Sequence, residues 1–280
     1  MTTGVEPVEP VAPVLFSELT DGVLLLTWNR PERNNGWTIE LEEAYFAALL
    51  AASENADVRV IVVTGAGRTF CPGLDMVALA AVSSEGRPLS SKRRWPMTLA
   101  REIPKPVIAA VNGAAAGIGL LQMLSCDVRF ASSSSKFTTA FARRGLAAEN
   151  SMSWLLPRLV GTGVAMDLLL SARVIDAAEA VQIGLVNCVF EPDELLSRTL
   201  AYAHDLAANC SPAAMAATKR QVHRDLERTS EEARLQALVT ISELTSLPDF
   251  DEGVKSFTEK RPPRFAGVSE AVATSRGWYR

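Results

Sequence analysis

The chain is short of the residues that most metal and nucleophile chemistries need. It holds only two histidines, His204 and His223, and four cysteines, Cys71, Cys126, Cys188 and Cys210. No two cysteines are close enough for a CxxC pair and both histidines lie far downstream, a spacing that excludes a standard zinc site. Both histidines fall in the C-terminal part of the chain, so Ser–His or Cys–His nucleophilic catalysis is poorly supported. Unpaired cysteines fit a reduced, cytoplasmic setting, with no disulfide framework. No apolar run approaches the ~20 residues of a membrane span. The opening MTTGVEPVEPVAPV lacks the basic start and apolar core of a signal peptide, and its prolines predict a loosely ordered arm over residues 1–14. An excess of positive charge is missing as well: 28 Lys and Arg stand against 32 Asp and Glu, a net −4. That balance argues against a nucleic-acid partner, while a few local basic spots suffice for a small anionic substrate.

What is present is the material for a large core. Of 280 residues, 48% are hydrophobic and 21% charged, an ordinary globular balance. Val23–Trp28 (VLLLTW) reads as a buried strand, followed by a Pro/Asn/Gly turn, NRPERNNG. A helix is predicted from about Thr38, with Leu41, Tyr45, Ala48, Leu49 and Ala52 on one apolar face. Glu32, Glu40, Glu42 and Glu43 read as turn and helix surface, the last three suiting the helix's positive end. Arg59–Thr64 is a second buried strand, and strand–helix–strand implies a parallel sheet with a right-handed crossover. The pattern recurs: strand at Val107–Val111, helix at Gly117–Ser125, strand at Val128–Ala131. The polar SSEGRPLSSKRR between the two copies reads as a mobile segment near a site mouth. From about Glu149 the chain turns mainly helical, and Ser211–Leu247 holds one or two long helices. The divisions are therefore an arm (1–14), a core (15–205) and a helical region with a basic, Pro-containing tail (206–280).

Two glycine-bearing turns follow predicted strands. The first, TGAGRTFCPGLDM (Thr64–Met76), is no Rossmann fingerprint, because the third glycine of GxGxxG is Phe70, and no Walker loop, because no Gly-Lys-Ser/Thr follows. On its own it is equally a plain βα turn. The second, VNGAAAGIGL (Val111–Leu120), reads by itself as close helix–sheet packing. Together they say more. Turns after neighbouring parallel strands end at one edge of the sheet, where ligands bind, and two convergent N–H groups are what an oxyanion hole requires.

These segments, with NRPERNNGW, SARVIDAAEAVQIGLVN and FTEKRPPRF, resemble in order the motifs of the crotonase superfamily, the enoyl-CoA hydratase/isomerase family, from about Val14 to Phe265. The resemblance implies an α/β fold, a spiral of ββα repeats with a helical C-terminal trimerisation region, and a homotrimer or dimer of trimers. It implies an acyl-CoA thioester as substrate, with coenzyme A present only as part of that substrate and no other cofactor. It places the oxyanion donors at the backbone N–H groups of Leu74 and Ile118. It places contacts to the CoA ester at Arg33, Asn34, Gly73, Asp75, Gly117, Phe257 and Lys260, the last two reaching a neighbouring subunit.

At the two positions where hydratases of the family carry glutamates, this chain has Leu121 and Phe141, neither able to move a proton. Its carboxylate is Glu149, at a position that resembles the acid/base of the family's enoyl-CoA isomerases. One carboxylate suffices to move a proton between carbons of an enolate, provided apolar surroundings raise its pKa. Leu121, Phe141 and Trp154 are the expected neighbours. Three functions follow: enoyl-CoA isomerisation by Glu149, favoured here; hydration with Glu149 alone activating water; and a non-catalytic scaffold that binds acyl-CoA or another protein. Asp75 is the alternative acid, and Cys71 is expected to pack as a small apolar group.

Overall fold

Asp21 and Gly22, both left-handed (φ 47° and 81°), make the tight turn that joins β1 (Leu15–Thr20) to β2 (Val23–Trp28) as an antiparallel hairpin. This is a computed structural model, and it describes residues 13–75, 80 and 93–266. The expected arm, apart from Pro13 and Val14, and the polar stretch as far as Lys92 lie outside the described residues, as does the chain beyond Ala266.

Thr38 caps α1 (Ile39–Glu54): its hydroxyl accepts from the Leu41 N–H at 3.2 Å. The chain then returns along β3 (Val60–Gly65), and later along β4 (Val107–Val111), β6 (Val128–Ser132) and β9 (Cys188–Phe190). The main sheet runs β1-β2-β3-β4-β6-β9, parallel from β2 onward. Short strands β5 (Ala115–Ala116), β7 (Lys136–Thr138) and β8 (Ile175–Asp176) form a second sheet in the order β5-β7-β8. Successive turns of the chain thus give one strand to each sheet, β4 with β5 and β6 with β7, and α2 (Ile118–Leu124) follows the first of these pairs. This is the expected ββα spiral.

The central strands read as unbroken apolar runs because both faces are covered. Ile61, Val63, Val107 and Ala109 face the larger core with Leu41, Tyr45 and Leu49 of α1. Val60, Val62, Ile108 and Ala110 face α6 (Leu195–Asn209) through Leu195, Ala203 and Ala207. The expected division at residue 205 therefore falls inside a helix that packs on the sheet. Between these lie α3 (Met152–Val160), α4 (Thr162–Ser171) and α5 (Ala177–Gln182).

The helical region after Ser211 divides into α7 (Pro212–Asp225) and α8 (Ser230–Thr245), with α9 (Pro248–Glu259) beyond them. A Thr229–Glu232 capping box starts α8. Buried Lys219 anchors α7 to the core: its ammonium lies 2.7 Å from the Asp127 carboxylate and donates to the carbonyls of Ala100 (2.8 Å) and Lys105 (3.0 Å). By contrast, α8 and α9 present Leu238, Ile241, Val254 and Phe257 to solvent, the last 87% exposed. No helix among the described residues is long and apolar enough to cross a membrane.

Candidate active site

Strands β3 and β4 pair in parallel, Ile61 with Val107 and Val63 with Ala109, so both glycine turns leave the sheet at one edge. They are then sewn together. The Asn112 amide donates to the carbonyls of Gly65 (2.8 Å) and Gly67 (2.9 Å), and its oxygen accepts from the Gly65 N–H at 3.2 Å. Cys71 N–H donates to Ala114 and Ala116 N–H to Cys71, each at 3.0 Å. Gly113 and Gly119 permit the closest approaches: a Cβ would stand 2.0 Å from the Arg68 carbonyl oxygen at the first and 2.0 Å from the Cys71 carbonyl oxygen at the second. Close packing, the plain reading of the second turn, is thus correct for Gly119. Gly117 has a different task. Its φ of 50° and ψ of −116° are a conformation open to glycine, and it turns the chain so that the branched Ile118 enters α2 in ordinary helical geometry.

In each turn the expected donor is among the N–H groups without a protein acceptor. Trp37 and Leu74 form a parallel bridge in which Trp37 N–H donates to Gly73 (2.8 Å) and Asp75 N–H to Trp37 (3.0 Å). Such a bridge uses the groups on either side of its central residue, so the N–H of Leu74 points away from Trp37. Ile118 is the first residue of α2, where N–H groups have no partner within the helix. Neither N–H donates to an acceptor among the described residues.

Gly73, Leu74, Gly117 and Ile118 line a cavity of about 90 Å³ together with Phe141 and Glu149. Larger clefts of about 400 and 610 Å³ lie among α7, α8 and α9, but no residue of either turn lines them. Chemistry, not size, selects the smaller one. Glu149 is partly buried, and burial raises its carboxyl above the ordinary carboxylate range against the opposing pull of the Arg93 charge. Three non-glycine residues near it, Ala140, Asn150 and Ser151, are left-handed (φ 63°, 53° and 69°). Such conformations cost of order 1–3 kcal/mol each and collect at functional sites. Here they bend the chain before α3, which begins three residues after Glu149 with Met152 N–H bonded to the Glu149 carbonyl at 3.0 Å.

The other expected residues divide. Of the three apolar neighbours expected for Glu149, Phe141 lines the cavity. Leu121 is buried in the core, and Trp154 has two guanidinium groups over its ring, Arg158 3.9 Å and Arg101 5.1 Å from the ring centre. Cys71 is a buried thiol pushed up to about 12 by desolvation, hence neutral. Asp75 is 3.3 Å from Arg30, which also donates to the Gly36 carbonyl, so the carboxylate ties the first glycine turn to the turn after β2. Arg33 and Asn34 are exposed on that turn, and Phe257 and Lys260 are exposed at the end of α9. His204 and His223 line neither turn; burial pushes His223 down to about 4, leaving it neutral.

One expectation is corrected. Glu42 is not helix surface: it is 9% exposed, accepts from the Trp37 indole N–H at 2.9 Å and is ion-paired with Arg93. It lies one residue from Leu41 and three from Tyr45, on the edge of the apolar stripe, and that position was the available signal. Buried Asn35 was also passed over; it accepts from Arg30 N–H (2.9 Å) and donates to the carbonyls of Ala66 (2.9 Å) and Thr69 (2.6 Å), holding the first glycine turn.

The chain matches the family described as enoyl-CoA hydratase/isomerase over residues 18–268. It is 38% identical over 256 residues to a probable enoyl-CoA hydratase of Rhodobacter capsulatus, covering 89% of this chain and 96% of that one. It is 32% identical over 259 residues to the 1,2-epoxyphenylacetyl-CoA isomerase of Escherichia coli, covering 90% and 98%. The crystal structure of an enoyl-CoA hydratase from Bacillus anthracis superposes with a TM-score of 0.86 at 29% identity, covering 91% of this chain and 99% of that one.

Proposed function

The chain belongs to the enoyl-CoA hydratase/isomerase family, and we propose that it isomerises the double bond of an enoyl-CoA thioester with Glu149 as its proton carrier. The observation that carries this reading is that, among the described residues, the cavity between the two glycine turns is lined by one carboxylate, that of Glu149. With the thioester oxygen between the N–H groups of Leu74 and Ile118, Glu149 takes a proton from the α or γ carbon. The electron pair left behind delocalises onto the thioester oxygen, where the two donors stabilise the developing charge. The same carboxyl returns the proton to the other carbon, and the double bond has moved. A carboxyl raised toward neutrality suits both halves of this exchange. Leu121 and Phe141 at the other two positions supply no second acid or base.

For the rest of the substrate, Arg33 and Asn34 contact the CoA moiety, Gly73 and Gly117 allow the ester to approach the backbone, and Asp75 keeps the donor loop in place. Coenzyme A enters as part of the substrate, with no further cofactor. Phe257 and Lys260 reach the site of a neighbouring subunit in a homotrimer or dimer of trimers. The exposed apolar side chains of α8 and α9 support such assembly.

The test is a panel of 2-enoyl- and 3-enoyl-CoA thioesters with product analysis. Interconversion of 3-enoyl and 2-enoyl esters is the expected result. Formation of 3-hydroxyacyl-CoA from a 2-enoyl ester would make the enzyme a hydratase, and tight binding without turnover across the panel would make the chain a scaffold.

A further inference from the structure

A continuous run of buried and part-buried contacts joins the two glycine turns. It starts at Trp37, whose main chain grips Gly73 and Asp75 on either side of Leu74. The Trp37 indole donates to Glu42, and Glu42 is ion-paired with Arg93. Arg93 donates to the Met97 sulfur at 3.2 Å, and the Met97 carbonyl accepts from the Gln122 amide at 2.9 Å. Gln122 is 1% exposed and lies one turn along α2 from Ile118, on the same side of the helix. Each turn is also joined directly to the other at Cys71–Ala114 and Ala116–Cys71. The second linkage differs in holding a charge pair about 50 residues apart in sequence, Glu42 with Arg93.

We propose that Glu42 and Arg93 are positioning residues which, through Trp37 and Gln122, set the alignment of the Leu74 and Ile118 donors. This rests on the proposed role of those donors. Arg144 and Glu149 are the charged residues lining the cavity among those described, and the Arg93 charge draws the Glu149 carboxyl down against burial. Removing it leaves burial unopposed, so the carboxyl titrates at higher pH.

The experiment compares wild type with Arg93→Met, Arg93→Lys and the charge-free pair Glu42→Gln/Arg93→Met, which leaves no lone buried carboxylate. Glutamine at 42 still accepts from the indole. Because a misplacement of about 1 Å costs up to roughly 10²-fold, kcat should fall by about that factor in the pair variant, with KM nearly unchanged. In Arg93→Met the ascending limb of the kcat–pH profile should move to higher pH, and in Arg93→Lys it should stay. A second readout needs no turnover: the infrared carbonyl stretch of bound 2,4-hexadienoyl-CoA, lowered by two N–H donors, should be lowered less in the pair variant. If wild type turns over and polarises the carbonyl, and the folded pair variant matches it in kcat, pH limb and carbonyl shift, the inference is wrong and the oxyanion assignment stands. If wild type binds the probe without lowering its stretch, the oxyanion assignment fails and the inference falls with it.

Discussion

Replacing Gly119 by alanine tests whether the spacing of the two turns governs the chemistry. The added Cβ would lie 2.0 Å from the Cys71 carbonyl oxygen and 2.7 Å from the Cys71 Cβ. Real contacts of this kind stay beyond 3.0 Å, so the two backbones must part by about 1 Å. Both are main chain, and no side-chain rotation relieves the clash. Gly119 follows Ile118 directly and Cys71 lies three residues before Leu74, so the displacement falls on the gap between the two donors. A shift of that size costs roughly 10²-fold in rate, and forcing a methyl group into a packed interior costs about 1–3 kcal/mol of stability. The control is Gly163→Ala in α4, where a Cβ meets nothing within 4 Å; there alanine should stabilise by about 0.5–1 kcal/mol. The assays are kcat and KM on the best enoyl-CoA of the panel, thermal melting, and titration with product CoA ester. If Gly119→Ala melts near wild type and keeps its kcat, the turns have room to spare and donor spacing does not limit the rate.

Glu149→Gln should keep the fold and lose roughly 10²–10⁴-fold in kcat, the range for general acid–base catalysis; near-wild-type turnover would remove Glu149 from the mechanism. Its stability gives an independent check. A carboxyl whose pKa is raised by folding contributes stability below its unfolded value, near 4.5, and that contribution is lost as pH rises through the folded value. The glutamine variant should therefore melt higher than wild type at neutral pH, and the difference should vanish below about pH 4.5; a difference that grows on acidification contradicts the burial. Leu74→Pro deletes an N–H that has no protein acceptor among the described residues and should cost about 10²–10³-fold in kcat, while Leu74→Ala stays mild; equal turnover in two folded, CoA-binding variants would mean Leu74 is not a donor. Truncation before Ser256 removes the end of α9 with Phe257 and Lys260, and should raise the KM for CoA esters and weaken assembly in sedimentation; unchanged affinity in a monomer would refute both roles.

Local features of the chain were enough to locate the elements and the turns. Apolar runs marked β2, β3 and β4, Thr38 marked the start of α1, and glycines after strands marked the two glycine turns, because strand burial, capping and left-handed turns depend on residues close in sequence. Glu149 was singled out differently, by a position that resembles the acid/base of the family's isomerases, and not by any local pattern. The tertiary structure alone decided what surrounds these groups. Trp154 has the size and polarity of a neighbour for Glu149, yet it does not line the cavity, and two arginines, one of them 53 residues earlier in the chain, lie over its ring. Glu42 has the charge of a surface residue, yet an arginine 51 residues away and an indole allow it to be buried. A periodic pattern shows which side of a helix faces inward, but the partner that makes a buried charge affordable comes from a distant segment. The raised carboxyl of Glu149, set between burial and the charge of Arg93, is likewise a property of the folded chain.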